Sequence, residues 1–113
     1  MHEASLIHSL LSMAIDHARA DGAARIATIG IRVGELSGVV ADALKFAFDA
    51  ATIEGSAKGS VLEIEYVPAR VRCASCRTAY HPAEIPWTCP ECSAIGGDLV
   101  GGRELELSFL EVM

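Results

Sequence analysis

Apolar positions along the chain follow two different periods. Between residues 5 and 20, Ile7, Leu10, Leu11, Ala14, Ile15 and Ala18 recur at the i, i+3, i+4, i+7 spacing of one helical face. Ser5, Ser9, Ser12, Asp16 and Arg19 fall largely off that face, and Asp21-Gly22 marks its end. Over residues 25–34 the period drops to two, with Ile29, Ile31 and Val33 alternating with Gly30 and Arg32, which predicts a strand. Gly34-Glu35-Leu36-Ser37-Gly38 has the composition of a loop. A second helix is predicted over about 40–53, burying Leu44, Ala47, Phe48 and Ala51, and Glu54 to Gly59 ends it. Residues 61–70 predict a strand with Leu62, Ile64 and Tyr66 on a dry face and Glu63 and Glu65 on a wet one. Residues 104–112 alternate again, Leu105, Leu107 and Phe109 against Glu104, Glu106 and Ser108.

Residues 71–98 break both periods and hold all four cysteines, three of the four prolines and the only tryptophan. The order helix, strand, helix, strand and final strand predicts an α+β layer pair, with the cysteine segment inserted before the last strand. The expected division is residues 1–70 plus 100–113 for the α+β part and 71–99 for the insert. Gly96-Gly97 and Gly101-Gly102 are read as giving the exit some freedom.

The chain has 113 residues, 51% of them hydrophobic, with a mean hydropathy of +0.35, which excludes a disordered chain. The net charge of −6 and 5% aromatic content argue against nucleic acid or an anionic membrane as the main partner. No apolar run of about 18 residues predicts a membrane span, and Met1-His2-Glu3 does not open like a signal peptide. A cytoplasmic location is expected, where cysteines serve as metal or redox groups more often than as disulfides.

Cys73-Ala-Ser-Cys76 and Cys89-Pro-Glu-Cys92 are two Cys-x-x-Cys pairs separated by twelve residues. Each pair places two sulfurs in one tight turn, and two facing turns give four thiolates in a tetrahedron, which suits Zn²⁺. A closed four-ligand shell leaves no place for water or substrate, so the site is expected to be structural. Two disulfides, a thioredoxin-like thiol pair and a four-thiolate iron site are the weaker alternatives. Charges from Arg70 to Asp98 sum to zero, so this zinc ribbon lacks a nucleic-acid footprint.

Met1-His2-Glu3 is a second metal candidate. A terminal amine, the His2 amide nitrogen and the His2 Nδ1 form adjacent chelate rings, a planar nitrogen set that favours Ni²⁺ or Cu²⁺, and Glu3 could add its amide or an oxygen. A histidine at position 2 is, however, most often a solvated terminal residue. His8, His17 and His81 are read as surface or half-buried residues, and Glu63, Glu65, Glu104 and Glu106 as the wet faces of two strands. There is no Gly-x-x-x-x-Gly-Lys phosphate loop and no patterned nucleophile–histidine pair, so no catalytic residue is assigned and the chain is not expected to be an enzyme.

Met1-His2-Glu3, Gly34-Glu35-Leu36-Ser37-Gly38-Val39, the paired Cys-x-x-Cys motifs and Gly102-Arg103-Glu104-Leu105 together resemble the HypA/HybF family, in order and over the whole chain. These are nickel metallochaperones for maturation of [NiFe]-hydrogenase and, in some organisms, urease. The resemblance implies two helices on a mixed three-stranded sheet with an inserted zinc ribbon of short β-strands. It implies nickel at Met1, His2 and Glu3, and zinc at Cys73, Cys76, Cys89 and Cys92. It also implies a HypB-type GTPase partner, delivery to the hydrogenase large subunit, and a monomer or homodimer. Some family members carry an acidic residue just after Gly-Val; this chain has Val40 there, and Asp42 is the nearest acid. A zinc-ribbon adaptor without nickel transfer is the alternative.

Overall fold

The computed structural model describes residues 3–113, so Met1 and His2 lie outside the described residues. The elements run α1 (Glu3–Ala20), β1 (Ile26–Gly34), α2 (Ala41–Ala51), β2 (Val61–Val67), β3 (Arg70–Arg72), β4 (Ala79–Tyr80), β5 (Asp98–Gly101) and β6 (Leu105–Val112). β1, β2 and β6 form one sheet in the order β2-β1-β6, and β3, β4 and β5 form a second in the order β4-β3-β5.

β1 is the central strand of the larger sheet. It pairs parallel with β2, because the α2 crossover returns the chain in the same direction, and antiparallel with β6. The register sets Ile29 beside Leu62 and Leu110, and Ile31 beside Ile64 and Leu107, so three strands present one apolar face. That face packs with Ile7, Leu10, Leu11, Ala14 and Ala18 of α1 and with Leu44 and Phe48 of α2 in a single core. The helical periodicity in the sequence therefore corresponds to the buried stripe of each helix. Helix α2 starts after an extended Val40 that offers no side-chain cap. It ends where the Thr52 N–H and hydroxyl both donate to the Phe48 carbonyl, at 3.0 and 2.8 Å.

The uncovered face of the sheet is held by different means. The Phe109 ring lies over Gly30, where any Cβ would meet it. Arg32 reaches Glu65 and Glu106 on the two flanking strands, both at 3.4 Å. These exposed pairs add little stability. The core carries far more. Replacing fully buried Leu44 by alanine is expected to cost about 2–5 kcal/mol in urea denaturation, whereas Phe46→Ala, one turn-half away and 77% exposed, should stay within about 0.5 kcal/mol of wild type.

The fold agrees with the α+β expectation, with departures in detail. Phe109, expected on one face with Leu105 and Leu107, lies on the uncovered face, because the register shift between Gly30 and Ile31 turns Leu110 inward in its place, and Tyr66, expected on the dry face, is 56% exposed. The strand predicted over 61–70 is two strands, because Pro68 has no N–H for a ladder and the chain turns there into the second sheet. The exit glycines are not a loose tether. Gly102, at φ 112°, lies so close to Ala69 that an added Cβ would fall 2.6 Å from its Cα. The second sheet has its own small core, Val71, Cys73, Tyr80 and Cys89 with Trp87, Ala94 and Leu99 against it, and it shares no residue with the larger core. The molecule is elongated, 54 × 26 × 17 Å.

Candidate metal centre

Both cysteine pairs sit in the same turn, used twice. The Cys73 N–H donates to the Thr78 carbonyl at 2.9 Å and the Arg77 N–H to the Cys73 carbonyl at 3.0 Å. The Cys89 N–H donates to the Ala94 carbonyl and the Ser93 N–H to the Cys89 carbonyl, both at 2.9 Å. Arg77 and Ser93, each four residues past the first cysteine of its pair, both take a left-handed conformation, φ 67° and 65°. That conformation is unfavourable for a residue with a side chain, and here each turn's hydrogen bonds enforce it. β3 and β4 support the first turn, and the Thr88–Ile95 bridge supports the second.

The turns face each other and bring all four Sγ atoms within 4.8 Å of one another. Cys73 lies 3.5 Å from Cys92, and Cys76 lies 3.6 Å from Cys89. A tetrahedron of thiolates at about 2.3 Å from one ion has edges of about 3.8 Å, so the donors fit a single structural metal ion. All four cysteines are unbonded to one another. Cys73 and Cys89 are buried, and Cys76 and Cys92 form the exposed side.

The turns also prepare the sulfurs electrically. The backbone N–H groups of Cys76 and Ser75 point at the Cys73 sulfur and lower its pKa. The Thr78 hydroxyl and N–H lower that of Cys76 to about 6. Cys92 behaves oppositely: the Ala94 N–H favours its thiolate, but Cys73, burial and the other two sulfurs outweigh this and push it up to about 12. Four negative sulfurs at this spacing need a cation between them.

A carboxylate joins this module to the larger sheet. Glu35, just past β1, accepts the Ala69 N–H on Oε1 at 3.0 Å. It also meets the His81 Nε2 with both oxygens, at 2.8 and 3.1 Å. The Ala69 N–H, and then His81, hold the Glu35 carboxyl below the usual range. Beside it the Leu36 N–H donates to the Gly102 carbonyl at 2.6 Å, and the Glu35 N–H to the Val67 carbonyl at 2.9 Å. Glu104 does not lie on a wet face as expected. Its carboxylate turns back to cap the Gly102 N–H at 2.6 Å. His81 is on the surface as read, but its partner is Glu35, a contact across 46 positions that no local pattern encodes.

Of the N-terminal candidate, Glu3 opens α1, and Met1 and His2 lie outside the described residues. Among the described residues no cluster of three His, Cys, Asp or Glu side chains other than the four cysteines converges. Asp42, in the first turn of α2, is exposed and belongs to no such cluster.

The family described as "Hydrogenase/urease nickel incorporation, metallochaperone, hypA" matches residues 1–112. The chain belongs to the HypA family. A relative from Roseiflexus sp. (strain RS-1), named Hydrogenase maturation factor HypA, is 43% identical over 112 residues, 98% of this chain and 91% of that protein. The solution structure of the Ni metallochaperone HypA from Helicobacter pylori superimposes with a TM-score of 0.71 at 25% identity, covering 100% of this chain and 98% of that one. A second solution structure of a HypA protein gives 0.75 at 26% identity, covering 100% and 97%. HypA proteins are metallochaperones rather than catalysts, and the chain's role is nickel incorporation in hydrogenase maturation. Among the described residues no helix is long and apolar enough to cross a membrane.

Proposed function

We propose that the chain captures Ni(II) through Met1, His2 and Glu3 and releases it to a HypB-type GTPase and the [NiFe]-hydrogenase large subunit, in the cytoplasm, with urease as a further recipient. Zn(II) is the ion that Cys73, Cys76, Cys89 and Cys92 hold. The observation that carries this reading is the HypA match across residues 1–112 together with a closed four-sulfur cluster that leaves no open metal position for cargo. Nickel therefore needs separate ligands, and the nitrogen donors of residues 1–3 suit it. Zinc supplies cross-linking and no reactive chemistry. Residues 71–99 form the zinc unit, and residues 1–70 with 100–113 form the nickel unit.

Capture and release asks for a site with few packed contacts. It also makes protons compete with metal, because the imidazole must be neutral and the nitrogens free. Calorimetric titration of Ni(II) into zinc-loaded protein with Met1 as its first residue is expected to give one nickel per chain, lost in His2→Ala with zinc content unchanged. The wild-type affinity should fall as pH drops through about 6.5, the ordinary imidazole value. Equal nickel binding by both proteins, or none by either, leaves the zinc-ribbon adaptor as the better account.

A further inference from the structure

The cysteine module and the α+β layer have separate cores, and the neck between them is built of close backbone contacts held by two carboxylates, Glu35 on the Ala69 N–H and Glu104 on the Gly102 N–H. The chain crosses it twice, at Pro68-Ala69 and at Gly101-Gly102. There Gly34 touches the Gly102 carbonyl group, and Gly102 touches Ala69, so little side-chain packing fixes the angle between the two halves. Among the described residues, His81–Glu35 is the one hydrogen bond between side chains that links residues 71–99 to the rest of the chain.

We infer that this pair is a clasp: Glu35 is the positioning residue that holds the four-cysteine module in one orientation at the end of the sheet where β1 gives way to Glu35. Its two arms are prepared in advance. The Glu35 carboxylate is tied to the neck by the Ala69 N–H, and its own N–H is tied to Val67. His81 stands one residue past β4 and directly before Pro82, which restricts its backbone to extended conformations. Both side chains are about half exposed, 43% and 52%, so the contact adds little to global stability. Orientation needs less: even an exposed contact of this kind biases a two-state equilibrium about threefold.

The test uses zinc-loaded full chain and residual dipolar couplings. In wild type one alignment tensor should fit the amides of both halves. His81→Ala should need two, with the order of the module's tensor reduced about twofold, while one zinc per chain and the amide shifts of Ile29, Ile31 and Val33 stay unchanged. His81→Gln, whose amide nitrogen can occupy the place of Nε2, should restore the single tensor. A single tensor in His81→Ala, or two in wild type, overturns the clasp. Should His81→Ala lose the dispersed signals of the module, Glu35→Ala decides the question by the same criterion. Nickel is absent from this experiment, so a failed nickel titration with His2→Ala and a failed clasp are told apart.

Discussion

Cys89→Ser is expected to abolish metal binding by the four cysteines and unfold residues 71–99, while the larger sheet and its helices persist. Cys89 is 1% exposed and is both one of the four converging sulfurs and one of the four buried residues of the small core. Serine oxygen is a poor substitute for a thiolate in a soft, closed shell. The rest of that core is Val71, Cys73 and Tyr80, far too few apolar groups to offset the entropy of ordering the segment. Metal binding in comparable small modules is worth about 10–16 kcal/mol, and here it is folding free energy. Zinc content should drop from one to none, and amide signals of Val71, Tyr80 and Leu99 should collapse toward random-coil positions. Dispersed signals from those three amides in metal-free protein would show that the module folds without an ion.

The second large effect is expected at Gly34. A Cβ built there would lie 2.2 Å from the Gly102 carbonyl carbon and oxygen and 2.6 Å from the Arg103 nitrogen. All three are backbone atoms held by neighbouring hydrogen bonds, including Gly34 N–H to the Glu104 carbonyl at 2.7 Å, so nothing can turn aside. Gly34→Ala should cost about 3 kcal/mol or more, or separate the two strands of the neck. Gly30 is the control. Its Cβ would lie even closer to an obstacle, 2.0 Å from a carbon of the Phe109 ring, but that ring is 42% exposed and can swing outward. Gly30→Ala should cost about 1–2 kcal/mol, mostly through loss of the ring's cover over the strand. Urea denaturation of both variants checks the order; a Gly30 variant less stable than the Gly34 one would show that the neck yields more easily than the ring.

The elements that could be read in the sequence are those long enough to express a period. α1 repeats its apolar spacing over five turns, and the strands of the larger sheet alternate over shorter runs, residues 29–33, 61–65 and 105–108, the period in β6 breaking at Phe109 where the register shifts. The cysteine spacing was equally plain, since Cys-x-x-Cys imposes a local turn wherever it binds metal. The second sheet was not legible as individual strands. β4 has two residues and β3 three, too short for alternation, and β3 gets its place from partners at Tyr80 and Leu99. The neck escaped for a related reason. Gly101-Gly102 reads as a flexible pair until Ala69 is seen against it, and Glu35 reads as a loop acid until His81 arrives from 46 positions away. Close approaches and long-range pairs leave no trace in spacing.

One further consequence lies in the connectivity. β6 is an edge strand of the larger sheet, yet it reaches β1 only after the whole cysteine segment has intervened. With that segment unfolded, β2 and β6 are joined by a 37-residue loop, residues 68–104. With it folded, β3 and β5 hold Arg70 opposite Gly101, and the loop is effectively a few residues long. Seven residues, 68–70 and 101–104, then remain between the two strands, and shortening a loop about fivefold saves about 1.5 kcal/mol of closure entropy. An ion bound by the four sulfurs would thus also act as a splice in the chain, and its loss would register at a distance, as a loosened C-terminal edge on the sheet that carries the N-terminal helix.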